Sequence, residues 1–348
     1  MAASGGWASL TESMAEKRVG TVLSWQPLSA TLALFRLMPQ RGKAFPDYRP
    51  GQYIALRRED CWLTRRTTDA QGRTRYAADL DEHGCQRRGP VTHSYSISSA
   101  PCETREHGWL EFYVVLEKGD AEYPGRLTES LFRARPGYDD QVSYVDHIAG
   151  DFTLEKRAAG FRNVLMVGTG TGLAPFASMM KQLDFEARQG QRPPVRYTLL
   201  HANRTYQELA YHQALSDVEA EGRLDFVYLP SVSRPVPGAW QGRLGVGRAN
   251  NVLRHLFGLP LREEEGLKLA EGTAGEVALA RAALAHAVKP ALPGHVAREA
   301  VLERLAPPET VILTCGNPSS MSDIRVVAES VGIRFEKEDW KAVVPVRP

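Results

Sequence analysis

The chain has 348 residues, of which 43% are hydrophobic and 24% are charged, and its formal net charge is +2. This balance is typical of a globular protein, and the length favours two domains that each bury their own core. The nearly neutral charge argues against nucleic acid or an anionic membrane as a partner, and no apolar run reaches the 18 residues that a transmembrane helix needs.

The N-terminus and the cysteines indicate the compartment. Residues 1–16 lack the apolar core of a secretory signal, so we expect a flexible leader and a cytoplasmic protein. The cysteines show no tight spacing, which argues against a disulfide framework; they are Cys61, Cys85, Cys102 and Cys315. A metal site that combines Cys61, His83 and Cys85, with or without Cys102, matches no Cys-x-x-Cys spacing, so we predict no metal.

The first half of the chain has a β-type pattern. Short runs rich in β-branched and aromatic residues, separated by glycine and proline, predict an antiparallel β-barrel over residues 17–156. Residues 60–92 interrupt this rhythm with a polar, charge-dense stretch, which we interpret as an inserted loop or hairpin. A single short helix is expected in "GRLTESLFRARPG", ending at Pro136 and Gly137.

The second half alternates strands with helices. This order predicts an α/β domain with a parallel sheet over residues 157–348. An Ala-, Glu- and Leu-rich stretch, residues 258–308, is interpreted as an insertion of one or two helices. The motifs "GTGTG", "HANR", "VSRP" and "CGNP" all follow strands, so they fall at the carboxyl edge of the sheet, where ligands bind in such domains.

The glycines of "VGTGTGLAPF" follow a buried strand and precede a helix. They occupy positions 168, 170 and 172, which is not the G-x-G-x-x-G spacing of a dinucleotide fingerprint. Pro175 is compatible with a first helical turn. A nucleotide-binding turn is one interpretation; a tight β–α turn without a ligand is the other.

Other candidate residues also have an ordinary explanation. Arg204, Arg234 and Arg243 flank strand ends and together could bind a phosphate, although each alone is an ordinary surface arginine. In "HSYS", His93 and Tyr95 share one strand face and the two serines the other, as in any barrel strand. The start of the "GRLT" helix could bind a pyrophosphate. Cys315 by default is a buried, inert cysteine.

The motifs "RPGQYIAL", "HSYSISS", "GRLTESL", "VGTGTGLAPF" and "CGNPSSM" occur in an order that resembles the ferredoxin–NADP reductase superfamily, and most closely the bacterial ferredoxin/flavodoxin–NADP reductases. The resemblance implies a barrel that binds FAD and an α/β domain that binds NADP(H). It further implies hydride transfer between nicotinamide C4 and flavin N5, followed by one-electron transfer to ferredoxin or flavodoxin. We expect a monomer.

The resemblance also implies site residues. Tyr95 would stack on the flavin, Ser96 would lie near flavin N5, and Trp340 would cover the flavin face. The full set implied for FAD is His93, Tyr95, Ser96, Val114, Val115, Leu116, Arg126, Leu127, Thr128, Thr169 and Trp340. His93 stands where the family has an arginine, which weakens the positive charge unless Arg126 compensates.

For NADP(H), the implied residues are Gly170, Thr171, Arg204, Ser233, Arg234, Arg243 and Cys315. The arginines favour NADPH over NADH. The implied catalytic residues are Ser96, Cys315 and Glu338. Two alternatives remain: the reductase component of an oxygenase system, which differs only in its acceptor, and a nucleotide-binding interaction module without redox activity.

Overall fold

The computed structural model describes residues 16–68, 74–117, 126–236, 242–270 and 274–338. In the N-terminal half its strands are β1 (Lys17–Ser29), β2 (Leu32–Met38), β3 (Tyr53–Trp62), β4 (Thr64–Thr68), β5 (Thr74–Ala78), β6 (Arg88–Ser96), β7 (Leu110–Val115) and β8 (Gln141–Ala149). Six of them form one antiparallel sheet in the order β6-β3-β8-β1-β2-β7. Just beyond β6, the backbone N–H of Ser98 donates to the carbonyl of Glu111 in β7, which links the two edges of the curled sheet.

Alternation of side chains explains this sheet. In β2, Ala33, Phe35 and Leu37 point into the barrel core, where Phe112 of β7 meets them. β7 is buried almost throughout because its other face, through Tyr113, packs into the core of the second half. The antiparallel β-fold predicted for the first half is confirmed.

The rest of this half differs in detail from what the sequence predicts. The polar stretch 60–92 contains the hairpin of β4 and β5, but its two ends belong to β3 and β6 of the main sheet. Helix α1 (Pro101–His107) was not predicted; Pro101 lies in its first turn and the Glu103 carboxylate accepts from the N–H of Ala100 at 2.7 Å. The predicted helix near residue 130 is α2 (Arg126–Arg133), which ends before Pro136.

The second half is an α/β domain. Its strands are β9 (Asn163–Thr169), β10 (Arg196–Asn203), β11 (Phe226–Val232), β12 (Gly245–Val246), β13 (Thr310–Cys315) and β14 (Arg334–Lys337). They form one parallel sheet in the order β12-β11-β10-β9-β13-β14. Its helices are α3 (Leu154–Arg157), α4 (Ala174–Arg188), α5 (His212–Glu221), α6 (Ala249–Phe257), α7 (Arg262–Leu269), α8 (Ala274–Ala285), α9 (Arg298–Glu303) and α10 (Pro318–Ser330).

The helices cover both faces of the parallel sheet, as the strand–helix alternation predicts. Met179 of α4 and Leu215 of α5 pack in the core on one face, and Val252 of α6 and Ile324 of α10 pack on the other. The stretch 258–308 contains α7, α8 and α9. The described side chains of α7 and α8 are exposed or half-buried, so this pair projects from the domain. None of the helices in the described ranges is both long and apolar enough to cross a bilayer.

The two halves are packed together along β7 and α4. The hydroxyl of Tyr113 donates to the carbonyl of Glu208 at 2.7 Å, and Ser178 Oγ donates to the carbonyl of Ser99 at 2.6 Å. Leu32 and Leu34 of the barrel share a core with the α/β domain. This contact holds β6 of the barrel opposite the carboxyl edge of the parallel sheet.

Candidate active site

A cleft of about 1180 Å³ lies between β6 and β7 of the barrel and the carboxyl ends of β9, β10 and β13. Small-molecule pockets commonly measure roughly 300–1,000 Å³, so the cleft has room for more than one nucleotide-sized group. Twelve residues that the sequence singled out line it: His93, Tyr95, Ser96, Val114, Val115, Thr128, Thr169, Gly170, Thr171, Arg204, Ser233 and Cys315.

The glycine turn lies at the centre of this cleft. After β9 the chain forms a short 3-10 turn, Gly170–Leu173, and then enters α4 with Pro175 in the first turn. A Cβ on Gly172 would lie 2.2 Å from the carbonyl oxygen of Cys315, so only glycine lets the turn approach the end of β13. This spacing therefore serves backbone packing, and it leaves Gly170 and Thr171 facing the cleft.

The residue that follows β13 also packs closely against the glycine turn. Gly316 has a φ of +128°, and a Cβ there would lie 2.1 Å from Thr169 Oγ1. That hydroxyl accepts a hydrogen bond from the N–H of Asn317 at 3.0 Å. The "GTGTG" and "CGNP" motifs are thus one interlocked unit, which fixes the position of Cys315.

Three predicted catalytic side chains meet beside this unit. Ser96 Oγ donates to Glu338 at 3.0 Å (Oε1), and the Cys315 thiol donates to Glu338 Oε2 at 2.7 Å. Ser96 comes from the barrel, whereas Cys315 and Glu338 come from the α/β domain. Glu338 is held just beyond β14 by its own N–H, which donates to the carbonyl of Thr314. The cluster therefore exists only when the two domains are packed together.

Burial determines the electrostatics of this cluster. Glu338 is only 4% exposed. Burial raises the pKa of its carboxyl from 4.5 to about 7, against the opposing effect of the hydrogen bonds from Cys315 and Ser96. Burial and the Glu338 carboxylate raise the pKa of the Cys315 thiol well above its ordinary value, so Cys315 stays protonated. Glu338 can thus hold or release a proton near neutral pH, whereas Cys315 cannot.

The barrel side of the cleft carries little positive charge of its own. Burial, together with the nearby Arg126, lowers the pKa of His93, so this imidazole is neutral at pH 7. Ser94 also lines the cleft, and among the described residues its buried Oγ has no hydrogen-bond partner. An unpartnered buried hydroxyl in an open cleft fits a site that a polar ligand completes.

Some residues predicted for FAD lie elsewhere. Leu127 is 1% exposed and packs in the barrel core, so its side chain is structural. Leu116 and Arg126 are not among the residues that line the cleft, although Arg126 lies close enough to perturb His93. Trp340 lies outside the described residues, and its role stays a prediction.

Of the three arginines predicted for NADP(H), one lines the cleft and two do not. Arg204 lines the cleft, but Glu208 accepts from its Nε at 3.0 Å and from its Nη2 at 2.5 Å, which neutralises much of its charge. Arg234 and Arg243 are not in the cleft lining.

Two arginines that the sequence did not single out line the cleft instead, namely Arg248 and Arg262. Arg248 belongs to a second Gly-Arg pair, and it directly precedes α6. Its position just before a helix is the signal by which Arg248 could have been distinguished from Arg243, which also follows a glycine. Asn250 is a further unpredicted lining residue, whereas the others belong to the quoted "HANR" and "CGNPSSM" motifs without having been named as site residues: Asn203, Asn317, Ser319 and Ser320. Within the described ranges, the side chains of His, Cys, Asp and Glu form no group of three or more that could hold a metal ion.

Comparisons with known proteins agree with this architecture. The model of the oxidoreductase NAD-binding domain family matches residues 166–269, from β9 to α7. A ferredoxin NADP+ reductase from Neisseria gonorrhoeae, solved with bound FAD and NADP, superposes with a TM-score of 0.54 at 18% identity, covering 93% of this chain and 99% of that one. The chain thus contains a segment similar to the oxidoreductase NAD-binding domain family and has the two-domain fold of this reductase.

Other solved and curated proteins are also similar to this chain. The flavohem-like FAD/NAD binding domain of a nitric oxide dioxygenase from Vibrio cholerae gives a TM-score of 0.53 at 18% identity, covering 92% of this chain and 98% of that one. A flavohemoprotein of Halalkalibacterium halodurans is 28% identical over 236 residues, which is 68% of this chain and 47% of that protein. The chain thus spans about half the length of the curated relatives it matches.

Proposed function

We propose that the protein is an FAD-dependent oxidoreductase that passes electrons between NADP(H) and a one-electron carrier such as ferredoxin or flavodoxin. The observation that carries this proposal is the Ser96–Glu338–Cys315 cluster, in which a titratable carboxyl is held between two domains behind Ser96 and Cys315, two residues that line the cleft. When bound, the two cofactors supply hydride transfer between nicotinamide C4 and flavin N5.

The barrel side fits FAD. We propose that Tyr95 stacks on the flavin, that Val114, Val115, Thr128 and Thr169 complete its binding surface, and that the unpartnered Ser94 hydroxyl takes one of its polar groups. Because His93 is neutral at pH 7, we propose that Arg126, which lies close to His93, balances the charge of the FAD diphosphate. Covering of the flavin by Trp340 remains part of the proposal from the resemblance.

The α/β side fits a nicotinamide dinucleotide. We propose that Cys315, with Gly170 and Thr171, borders the nicotinamide, and that Ser233, Arg204 and Arg248 contact the adenosine 2′-phosphate of NADPH. Arg234 and Arg243 lie outside the cleft lining and are expected to contribute less. The matching measurement compares KM values: Arg248→Ala should raise the KM for NADPH more than that for NADH, and by more than Arg234→Ala does.

The chain's own residues contribute proton transfer near neutral pH. At neutral pH the Glu338 carboxyl is partly protonated, so it can both accept a hydrogen bond from Ser96 Oγ and donate a proton to it. Ser96 is then the group through which Glu338 exchanges a proton with the cleft, because this residue lines the cleft and its hydroxyl is hydrogen-bonded to the carboxyl. Cys315, a protonated thiol, contributes shape and a hydrogen bond.

The acceptor is open to a second candidate. The match to about half the length of flavohemoproteins supports a haem protein as an alternative acceptor to ferredoxin or flavodoxin. An oxygenase component is a related acceptor, reached by the same chemistry on the reductase side.

The experiment is anaerobic spectroscopy of the purified protein. We expect a flavin spectrum that NADPH bleaches, and reoxidation of the reduced protein by one acceptor in a panel of ferredoxin, flavodoxin and a haem protein. Loss of colour without reoxidation by any of these acceptors would contradict the assigned partner class. Failure to bind FAD, even after incubation with the free cofactor, would favour a nucleotide-binding module without redox activity.

A further inference from the structure

Arg262 enters the cofactor cleft from helix α7, at the end of the segment that the NAD-binding family model matches. It is the first residue of α7, in the stretch 258–308 that the sequence marks as an insertion, and it lines the same cleft as Cys315 and Arg204. Its Nη1 donates to the side-chain and carbonyl oxygens of Ser319 at 2.8 and 3.2 Å. The insertion is therefore attached to the wall of the cleft at α10.

The backbone around Arg262 is held in place by contacts with α6. The N–H of Arg262 donates to Asn251 Oδ1 at 3.1 Å, and Asn251 Nδ2 donates to Glu263 at 2.7 Å. Buried Arg254 binds Glu265 at 2.8 Å. These bonds fix the start of α7 before any ligand arrives, which reduces the entropy cost of binding one.

The charge of Arg262 is available to a ligand. Among the described residues it forms no ion pair, whereas Arg204 is bound on two nitrogens by Glu208. The carboxylates near Arg262 have other partners: Asp323 binds Arg254 and Asn250, Glu265 binds Arg254, and Glu263 binds Asn251 and lies 3.7 Å from Arg248.

The position of Arg262 along the cleft favours the phosphate groups nearer the nicotinamide. Ser319, to which Arg262 is bonded, follows Cys315 by four residues, a separation of at most about 14 Å. The diphosphate of a nicotinamide dinucleotide is one ribose away from the nicotinamide ring, whereas the 2′-phosphate lies beyond a second ribose. The N–H groups of Ser319 and Ser320 already donate to Asn317 Oδ1. These two N–H groups at the start of α10 are therefore not available to the diphosphate, and a side chain must bind it instead.

We propose that Arg262 binds the diphosphate of the nicotinamide dinucleotide, and thus that helix α7 supplies a binding residue shared by NADPH and NADH. This rests on the proposed function, because it takes the nicotinamide to lie at Cys315. Arg262 and Arg248 then have separate tasks, since Arg248, at the start of α6, is the residue proposed to read the 2′-phosphate.

The test is calorimetric titration of the flavin-loaded protein with NADP+ and NAD+. Arg262→Ala should weaken the binding of both dinucleotides by the same factor, at least about tenfold, as is usual for loss of hydrogen bonds to a charged group. Arg262→Lys should recover part of the affinity. Arg248→Ala should weaken NADP+ selectively. Arg281→Ala, an exposed position on α8 of the same insertion, is the matched control and should bind like the wild type.

Adenosine 2′-monophosphate, which lacks the diphosphate, separates the two arginines further. Its affinity should be unchanged in Arg262→Ala and reduced in Arg248→Ala. Unchanged dinucleotide affinity in Arg262→Ala, or a loss confined to NADP+, would overturn the proposal while leaving the proposed function intact. Wild-type protein that binds neither dinucleotide would overturn both. Circular dichroism of each variant verifies that the insertion remains helical.

Discussion

Replacement of Glu338 by glutamine gives a pH-dependent stability effect whose sign and size follow from burial. The pKa of this carboxyl is raised from 4.5 to about 7, so the folded state keeps its proton where the unfolded chain has lost it. Stability from this group is therefore fully present below pH 4.5 and is lost as the pH rises toward 7. At about 1.4 kcal/mol per pH unit, the loss is roughly 3 kcal/mol.

Glutamine cannot ionise, so Glu338→Gln should escape this loss. The assay is urea unfolding of wild type and variant at several pH values between 5 and 8. We expect the free energy of unfolding of the variant, relative to wild type, to increase by roughly 2–3 kcal/mol across this range. A difference that stays constant with pH would show that Glu338 ionises like a solvent-exposed carboxyl, and the proton role assigned to it would fail.

Three further predictions concern other parts of the site and its scaffold. Arg126→Ala should raise the Kd for FAD by about tenfold, measured by fluorescence titration, whereas His93→Ala should change it little because His93 is already neutral. Gly172→Ala should lower the free energy of unfolding by roughly 1–3 kcal/mol, since its Cβ collides with the carbonyl of Cys315; a variant as stable as wild type in urea would refute the packing role of the glycine turn. Arg254→Met should cost roughly 3–5 kcal/mol in the same assay, because it leaves the buried Asp323 carboxylate without its cationic partner, and a smaller cost would mean that water reaches this carboxylate.

Much of the fold could be read from the sequence because it depends on local patterns. The switch from short β-type runs to strand–helix alternation near Phe161 predicts the two architectures, and both are present. Helix α1 was not predicted because its seven residues show no apolar periodicity. The helix depends on Pro101 in its first turn and on the cap by Glu103, and these signals are recognised only when a helix is already suspected. The hairpin within residues 60–92 was anticipated, but its continuity with β3 and β6 was not.

The site was predictable where residues sit at strand ends. Ser96, Cys315 and Glu338 were expected from the resemblance, and their hydrogen bonds bring together three segments that are far apart in sequence. The arginines were less predictable, because a long flexible side chain reaches a cleft or misses it according to tertiary packing. Arg262 in particular lies in the cleft only because α7 is bound to α6 and α10.

The central claim is that NADPH delivers hydride to a flavin held in this cleft, and single-turnover stopped-flow spectroscopy tests it most directly. The flavin absorbance of the wild type should fall rapidly on mixing with NADPH, more slowly with NADPH deuterated at C4, and much more slowly in Ser96→Ala. A flavin band that NADPH leaves unchanged, in a protein that retains FAD, would contradict the account.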